Sequence, residues 1–270
     1  MTTRIHHLSC ATMRPGAGRI PGMMPRELVA HVLVIEGEDG LTLVDTGFGT
    51  ADVEQGAKRL GRPFVTLVGA KFNMADTAQH QVRSLGYDTS DVRNIVLTHM
   101  DLDHAGGISD FPEAAIHLHT AEHAAATNPT MRERQRYLKA HWAHGPKWVT
   151  HDTGGDDWFG FASARAVGED VALIPLFGHT RGHSGVIVRR PGGGFYLHAG
   201  DAYFSTGDKQ TPRKCPPGLR AFQQAMQMDH AARVANLARL QQLHAEHSNE
   251  VTVFCAHDKT ELDGLRSVTD

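Results

Sequence analysis

Four strand-like apolar runs in this chain each end on histidine or aspartate, and this recurrence restricts the fold more than any other feature. Asn94-Ile95-Val96-Leu97 leads into Thr98-His99-Met100-Asp101-Leu102-Asp103-His104, and the run 171–177 into Gly178-His179-Thr180-Arg181-Gly182-His183. The run 194–198 leads into Ala199-Gly200-Asp201, and the run 251–255 into Ala256-His257-Asp258. Short β-branched runs read as buried strands. Side chains that leave one edge of a sheet can meet in space while remaining far apart in sequence. One such ending is ordinary, but four in one chain point to a shared site.

The first ending is the densest. His99, Asp101, Asp103 and His104 place two imidazoles and two carboxylates within six residues, and Ala105-Gly106-Gly107 then allows a tight turn and close backbone approach. Nitrogen and oxygen donors at this density suit a divalent transition metal. A solvated polar loop is the competing reading, and the three later endings weigh against it.

Around these endings the pattern alternates strands with helices. Strands are expected at about 3–9, 28–36, 41–45, 93–98, 115–119, 171–177, 185–190, 194–199 and 250–255. Helices are expected at about 50–60, 75–86, 119–127, 130–142 and 220–246. Pro191-Gly192-Gly193-Gly194 should reverse the chain into a hairpin, and Leu237, Leu240 and Leu243 form an apolar stripe on the last helix. No Pro- or Ser-rich linker divides the 270 residues, so one α/β domain over 1–270 is expected, with loop insertions near 10–27, 61–74 and 141–165.

Charge and cysteine usage narrow the partners. Lys and Arg number 27 against 30 Asp and Glu, a net charge of −3 with no basic cluster, which argues against nucleic acid. Cys10, Cys215 and Cys255 are odd in number and widely spaced, which suggests a reducing compartment rather than a disulfide framework. No stretch has the length of a signal peptide core or a membrane span, so a cytoplasmic protein without a membrane partner is expected. Among the 19 histidines, His6, His7, His117, His123, His151 and His244 read as surface or core residues.

These residues resemble the metallo-β-lactamase fold superfamily of metallohydrolases, and within it the N-acyl homoserine lactone lactonases. The family's His-x-His-x-Asp-His motif is matched by His99, Asp101, Asp103 and His104, and its later single ligands by His179, Asp201 and His257. Leu41-Thr42-Leu43-Val44-Asp45-Thr46-Gly47 matches an upstream strand and turn common in the family. Leu85-Gly86-Tyr87, Asp103-His104-Ala105-Gly106-Gly107 and Phe254-Cys255-Ala256-His257-Asp258 carry the lactonase likeness, which covers roughly residues 28–260. The resemblance implies an αββα sandwich of two mixed β-sheets with helices on the outer faces. It implies two divalent ions, one held by His99, Asp101, His179 and Asp201, the other by Asp103, His104, Asp201 and His257. His183 is then a supporting residue rather than a ligand.

The same resemblance implies a hydrolase in which a hydroxide shared by the two ions opens a lactone or a related carboxylic ester, as in quorum quenching. Asp103 would carry the proton. Tyr203 is the candidate to meet the oxyanion, although its offset from Asp201 differs by one from the lactonase pattern, where Phe204 stands. Asp101 departs from the family by replacing a histidine, which makes the site more anionic and shifts preference from zinc toward manganese or iron. Hydrolysis of thioester, phosphoester or β-lactam bonds is the alternative, and a redox diiron protein or a non-catalytic metal binder stands behind it. The substrate is a small molecule. Met13, Met23 and Met24 on one insertion, and Phe64, Leu67, Val68 and Phe72 on the next, are candidates to line its pocket, the second also to make homodimer contacts. The aromatic group Trp142, Trp148, Trp158, Phe159 and Phe161 is open to either pocket lining or packing.

Overall fold

The computed structural model describes residues 2–152, 154–155 and 157–267; Met1, two positions within the expected insertion at 141–165, and the last three residues of the expected domain lie outside it. The first sheet takes β1 (Arg4–Met13), β2 (Leu28–Gly37), β3 (Gly40–Val44), β4 (Ala70–Lys71), β5 (Val92–Val96), β6 (Ala115–His119) and β7 (Lys147–His151), in the order β4-β1-β2-β3-β5-β6-β7. β1, β2 and β3 are antiparallel neighbours, whereas β3, β5, β6 and β7 run parallel. After a short ribbon of β8 (Asp157–Trp158) and β9 (Phe161–Ala162), the second sheet follows chain order: β10 (Ala164–Val167), β11 (Val171–Pro175), β12 (Ser184–Arg189), β13 (Phe195–His198) and β14 (Val251–Phe254). The expected hairpin is β12–β13, and β14 lies parallel to β13.

Period-two alternation explains the layers. Leu33 and Ile35 of β2 pack with Val171, Leu173, Val186 and Val188 of the second sheet, while Val32 and Val34 lie with the residues of the outer helices. Those helices are α4 (Ala78–Ser84), through Ala78 and Val82, and α5 (Thr120–Thr127), through Ala125 and Ala126. On the other side α7 (His230–His247) sets the expected stripe Leu237, Leu240 and Leu243 against the second sheet. Two mixed sheets with helices on their outer faces make the αββα sandwich.

Two expected helices differ. The segment 50–60 breaks into α1 (Thr50–Gln55) and α2 (Ala57–Leu60) at Gly56, whose φ of 51° no helix interior accepts. The segment 220–246 divides into α6 (Pro217–Met226) and α7, because Met228 and Asp229 turn their N–H groups onto the Gly178 carbonyl and Asp229 caps α7 through the Ala232 N–H. A third expectation, a helix over 130–142, gives way to turns. There Glu133 accepts from Thr130 and Arg181, and Arg136 reaches across the molecule, so tertiary bonds override local propensity. Sequence patterning also missed α3 (Arg62–Val68), which fills the insertion at 61–74, and α8 (Lys259–Arg266).

The space between the sheets holds an unusual polar pair. His7 Nδ1 and His31 Nε2 lie 2.8 Å apart, and their other ring nitrogens have no partner. Burial, with His198 and Arg266 nearby, lowers the His7 pKa to about 3 and holds His31 well below its ordinary value. Both are therefore neutral in the fold and take up protons readily when unfolded. Stability from this pair is complete above the unfolded pKa near 6.5 and falls as pH drops below it, for His7 by about 1.4 kcal/mol per pH unit down toward 3, with His31 acting in the same direction. Denaturant titrations across that window should show an acid loss that His7→Phe/His31→Phe diminishes; an identical slope in the variant would refute this account.

Candidate metal centre

The ligand-type residues gather at one end of the sandwich because the strands that deliver them point the same way. β13 and β14 are parallel with His198 opposite Phe254, so Asp201 and His257, each three residues further on, leave side by side. β11 runs in the same sense and delivers His179, and β5 of the first sheet delivers His99 to His104. Backbone bonds lock the two sheets at this edge, Ser184 N–H to the Thr98 carbonyl at 2.9 Å and His31 N–H to the Ala256 carbonyl at 2.8 Å, and within the second sheet Ala256 N–H joins the Gly200 carbonyl at 3.0 Å.

Asp201 sits between two histidine pairs. Its Oδ2 lies 3.9 Å from His99 Nε2 and 3.3 Å from His179 Nε2, its Oδ1 lies 3.3 Å from His104 Nε2, and His257 Nε2 approaches both oxygens, Oδ1 at 3.0 Å and Oδ2 at 3.2 Å. Asp103 approaches the second pair, at 3.8 Å from His257 and 4.0 Å from His104. Donor atoms of His99, His179 and Asp201 form one compact set, and those of Asp103, His104 and His257 another. Neighbouring donors around a tetrahedral ion with bonds of about 2.0–2.1 Å are themselves about 3.3 Å apart, so these spacings fit. His99 Nε2, His104 Nε2 and Asp201 Oδ1 are buried without a hydrogen-bond partner, an arrangement that costs free energy unless something positive is bound between them. Divalent cations held by these two donor sets would satisfy all three.

The surrounding residues aim the rings. Thr98 Oγ1 donates to Asp45, so His99 Nδ1–H donates to that hydroxyl at 2.9 Å and turns the Nε2 lone pair inward. His104 Nδ1–H donates to Asp45 Oδ2 at 2.8 Å, and His257 Nδ1–H to the Val29 carbonyl at 2.7 Å. Asp45 adopts a left-handed φ of 58°, and the next turn requires Gly47, where a Cβ would stand 2.2 Å from the Cys10 carbonyl oxygen. His183 does not face the centre. It donates from Nδ1 to the Leu176 carbonyl and accepts the Asp201 N–H at Nε2, fixing the loop that presents the central carboxylate. Burial opposes ionisation of Asp201, but His257, His104 and His179 hold its carboxyl well below the usual range.

Two residues of the site carried no sequence signal. Glu122, fully buried on α5, accepts from Met100 N–H, Thr180 Oγ1 and Gly182 N–H, tying the first ligand loop to the His179 loop. Arg136 lies in the stretch expected to be helical. Its guanidinium grips Asp101 through both carboxylate oxygens, Nε to Oδ1 at 2.8 Å and Nη2 to Oδ2 at 2.5 Å, and Nη2 lies 2.6 Å from His179 Nε2. Asp101 Oδ2 is 3.0 Å from His179 Nε2 and 3.4 Å from His99 Nε2, beside the first donor set but already paired. Burial works against the Asp101 charge, yet Arg136 and His99 keep its pKa well below the ordinary value. Burial and the Arg136 charge push His179 down to about 4, keeping its ring neutral.

The structure sends Tyr203 elsewhere. Its hydroxyl is fully buried in the packing of the second sheet and donates to Glu261 at 3.1 Å, while Phe204 faces the centre and stacks on the His257 ring at 4.8 Å. The one-residue offset in sequence turns the side chain to the opposite side of the loop. Tyr203→Phe should therefore leave turnover close to wild type and cost about 1 kcal/mol of stability, the value of one buried hydrogen bond. A tenfold or greater drop in kcat with unchanged stability would return the hydroxyl to the reaction.

Above the donors lies a small hollow walled by Met13, Phe64, Leu67, Phe204, Phe222 and Met226. It adjoins a larger cavity of about 530 Å³, with which it shares Phe64, Leu67, Asp101 and Met226. Met13, Phe64, Leu67 and Val68 thus line the pocket, as the sequence suggested, whereas Met23 and Met24 are not among its lining residues and Phe72 packs against Phe48 instead. Trp142 and Trp148 pack on the first sheet and Trp158 and Phe159 on the second, so that aromatic group serves packing. Another hollow, of about 620 Å³, lies between the Gly37–Gly40 turn and Arg189 and contains none of the candidate ligands.

A sandwich of this topology with this donor set defines a metallohydrolase, and the chain belongs to the metallo-β-lactamase superfamily, whose family model matches residues 25–246. It is 43% identical over 260 residues to a probable metallo-hydrolase of Mycobacterium tuberculosis, covering 94% of this chain and 80% of that one. An N-acyl homoserine lactonase of Rhizobium johnstonii is 33% identical over 114 residues, 41% of each chain. Among solved structures, an N-acyl homoserine lactone hydrolase with N-hexanoyl-L-homoserine at its catalytic metal centre superposes with a TM-score of 0.74 at 19% identity, covering 98% of this chain and 96% of that one. Among the described residues, no helix is long and apolar enough to cross a membrane.

Proposed function

We propose that this protein is a dinuclear metallohydrolase that opens lactones or cleaves related carboxylic esters. The observation that carries the reading is Asp201, whose carboxylate lies between two histidine pairs directly beneath an apolar hollow. His99, His179 and Asp201 would hold one cation, and Asp103, His104, His257 and Asp201 the other, with Asp101 beside the first. When bound, two such ions supply Lewis acidity toward a carbonyl and a leaving alkoxide, and a water acidic enough to ionise near neutral pH.

The chain's own residues do the rest. The apolar walls of Met13, Phe204, Phe222 and Met226 hold an acyl group and keep bulk water out. Asp103, on the pocket floor, is placed to carry a proton toward the leaving oxygen. No tyrosine hydroxyl reaches this hollow among its lining residues, so stabilisation of the developing oxyanion falls to the cationic centre. The similarity to N-acyl homoserine lactonases supports a lactone as the bond attacked. The carboxylate that suggested a redox diiron relative is already matched by Arg136, which leaves hydrolysis as the better reading. We read zinc as the favoured metal and residues 1–270 as one domain.

The test is base uptake during lactone hydrolysis by protein loaded with zinc, manganese or iron, together with elemental analysis of protein prepared without added metal. Two metal ions per chain and rapid ring opening are expected. No lactone turnover alongside good thioester or phosphotriester turnover would move the assignment to those bonds.

A further inference from the structure

The larger cavity beside the metal centre carries an excess of positive charge. The chain as a whole is slightly acidic, yet this cavity is lined by Lys58, Arg59, Arg132 and Arg136 and by a single carboxylate, Asp101. Two of the four cations are matched, Arg136 by Asp101 and Arg59 by Asp52 at 2.8 Å. Lys58 has no carboxylate partner among the described residues. Arg132 donates only to the carbonyls of Ala225 and Gln227 at the end of α6. Lys58 and Arg132 therefore leave two positive charges unmatched at the wall of a cavity whose remaining lining includes Leu60, Phe64, Leu67 and Met226.

Resting on the hydrolase reading above, we infer that the natural substrate carries an anionic group, a carboxylate or a phosphate, at the far end of an apolar segment from the bond that is cut. The geometry supports this because the cavity is continuous in its walls with the hollow over the donors, sharing Phe64, Leu67, Asp101 and Met226. An acyl chain lying along those side chains ends among the cations. A neutral chain of the same length would leave both cations solvated at the rim and gain nothing from them, whereas an anion gains charge-assisted hydrogen bonds. The pairing of Arg59 and Arg136 serves the same end, since it prevents repulsion among four adjacent cations while leaving two free to bind.

Binding decides the inference and turnover decides the reading on which it rests. Calorimetric titration of the metal-loaded protein would use N-acyl homoserines whose chains end in methyl, carboxylate or phosphate, in a series of graded lengths. At low salt the best anionic probe is expected to bind about tenfold more tightly than its methyl counterpart, a difference of about 1.4 kcal/mol. That advantage should shrink in Lys58→Met, shrink further in Lys58→Met/Arg132→Met, and fall as salt rises. Comparison of the carboxylate and phosphate series tells which anion the site takes. Equal binding of methyl and anionic probes at every length, or an advantage undiminished in Lys58→Met/Arg132→Met, would overturn the inference. Absence of lactone and ester hydrolysis with the anionic preference intact would instead refute the reaction and leave the anion site standing.

Discussion

Asp201→Asn is expected to lower lactone turnover by several powers of ten while leaving the chain folded. Among the carboxylates of the described residues Asp201 alone contacts both histidine pairs, Oδ2 toward His99 and His179, Oδ1 toward His104, and both oxygens toward His257. An amide keeps the size of the side chain but removes its charge, and it turns an N–H group toward one pair of lone pairs. Cation affinity should therefore fall along with rate. The polypeptide should tolerate the change, since the amide matches the carboxylate in size and the backbone N–H still donates to His183. Base uptake with a lactone, metal content by elemental analysis, and circular dichroism for the fold together make the test. Turnover within tenfold of wild type at full metal occupancy would reject the central role given to this carboxylate.

Much of this site could be read from the sequence because its ligands sit at strand ends. A β-branched run fixes the strand, and the residues two to four places beyond it must emerge at one edge, so His99, His179, Asp201 and His257 could be grouped before any coordinates. The upstream Asp45 was visible only through the family resemblance of Leu41-Thr42-Leu43-Val44-Asp45-Thr46-Gly47. Glu122 and Arg136 were not. Glu122 lies within a short helix of ordinary composition, and only the tertiary fold brings its carboxylate to Met100, Thr180 and Gly182. Arg136 stands in a segment whose residues favour helix, and it reaches Asp101 only because that helix does not form. Tyr203 shows the other limit. Position along the chain put it two residues past a ligand, but the direction of its side chain depends on a loop conformation that no periodicity specifies. The strand register was therefore readable, and the long-range polar pairs and loop directions were not.

Arg136→Met should destabilise the metal-free protein by about 3–5 kcal/mol, the cost of stranding one member of a buried ion pair. The partner left behind is Asp101, buried and 3.0 Å from His179 Nε2, in a site that already holds Asp103 and Asp201. Asp101→His should be costly for the converse reason, because it leaves the buried Arg136 guanidinium without its acid, despite restoring the family's usual residue. Arg136→Met/Asp101→Asn removes both charges and should recover most of the loss, giving a coupling energy well above the roughly 0.5 kcal/mol expected of independent sites. The pair also bears on metal choice. Asp101 alone would add one negative charge to the centre, but Arg136 pairs with it and offsets that charge, in keeping with the zinc proposed above. In Arg136→Met the freed carboxylate can turn toward the first cation, so added metal should restore more stability than it does in wild type, and manganese or iron should gain on zinc. Denaturant titrations of the four proteins with and without metal, and occupancy after loading from equal mixtures of zinc and manganese, measure both effects. Additive stability changes, or a zinc-to-manganese ratio that does not move in Arg136→Met, would show that the guanidinium neither holds Asp101 nor tunes the centre.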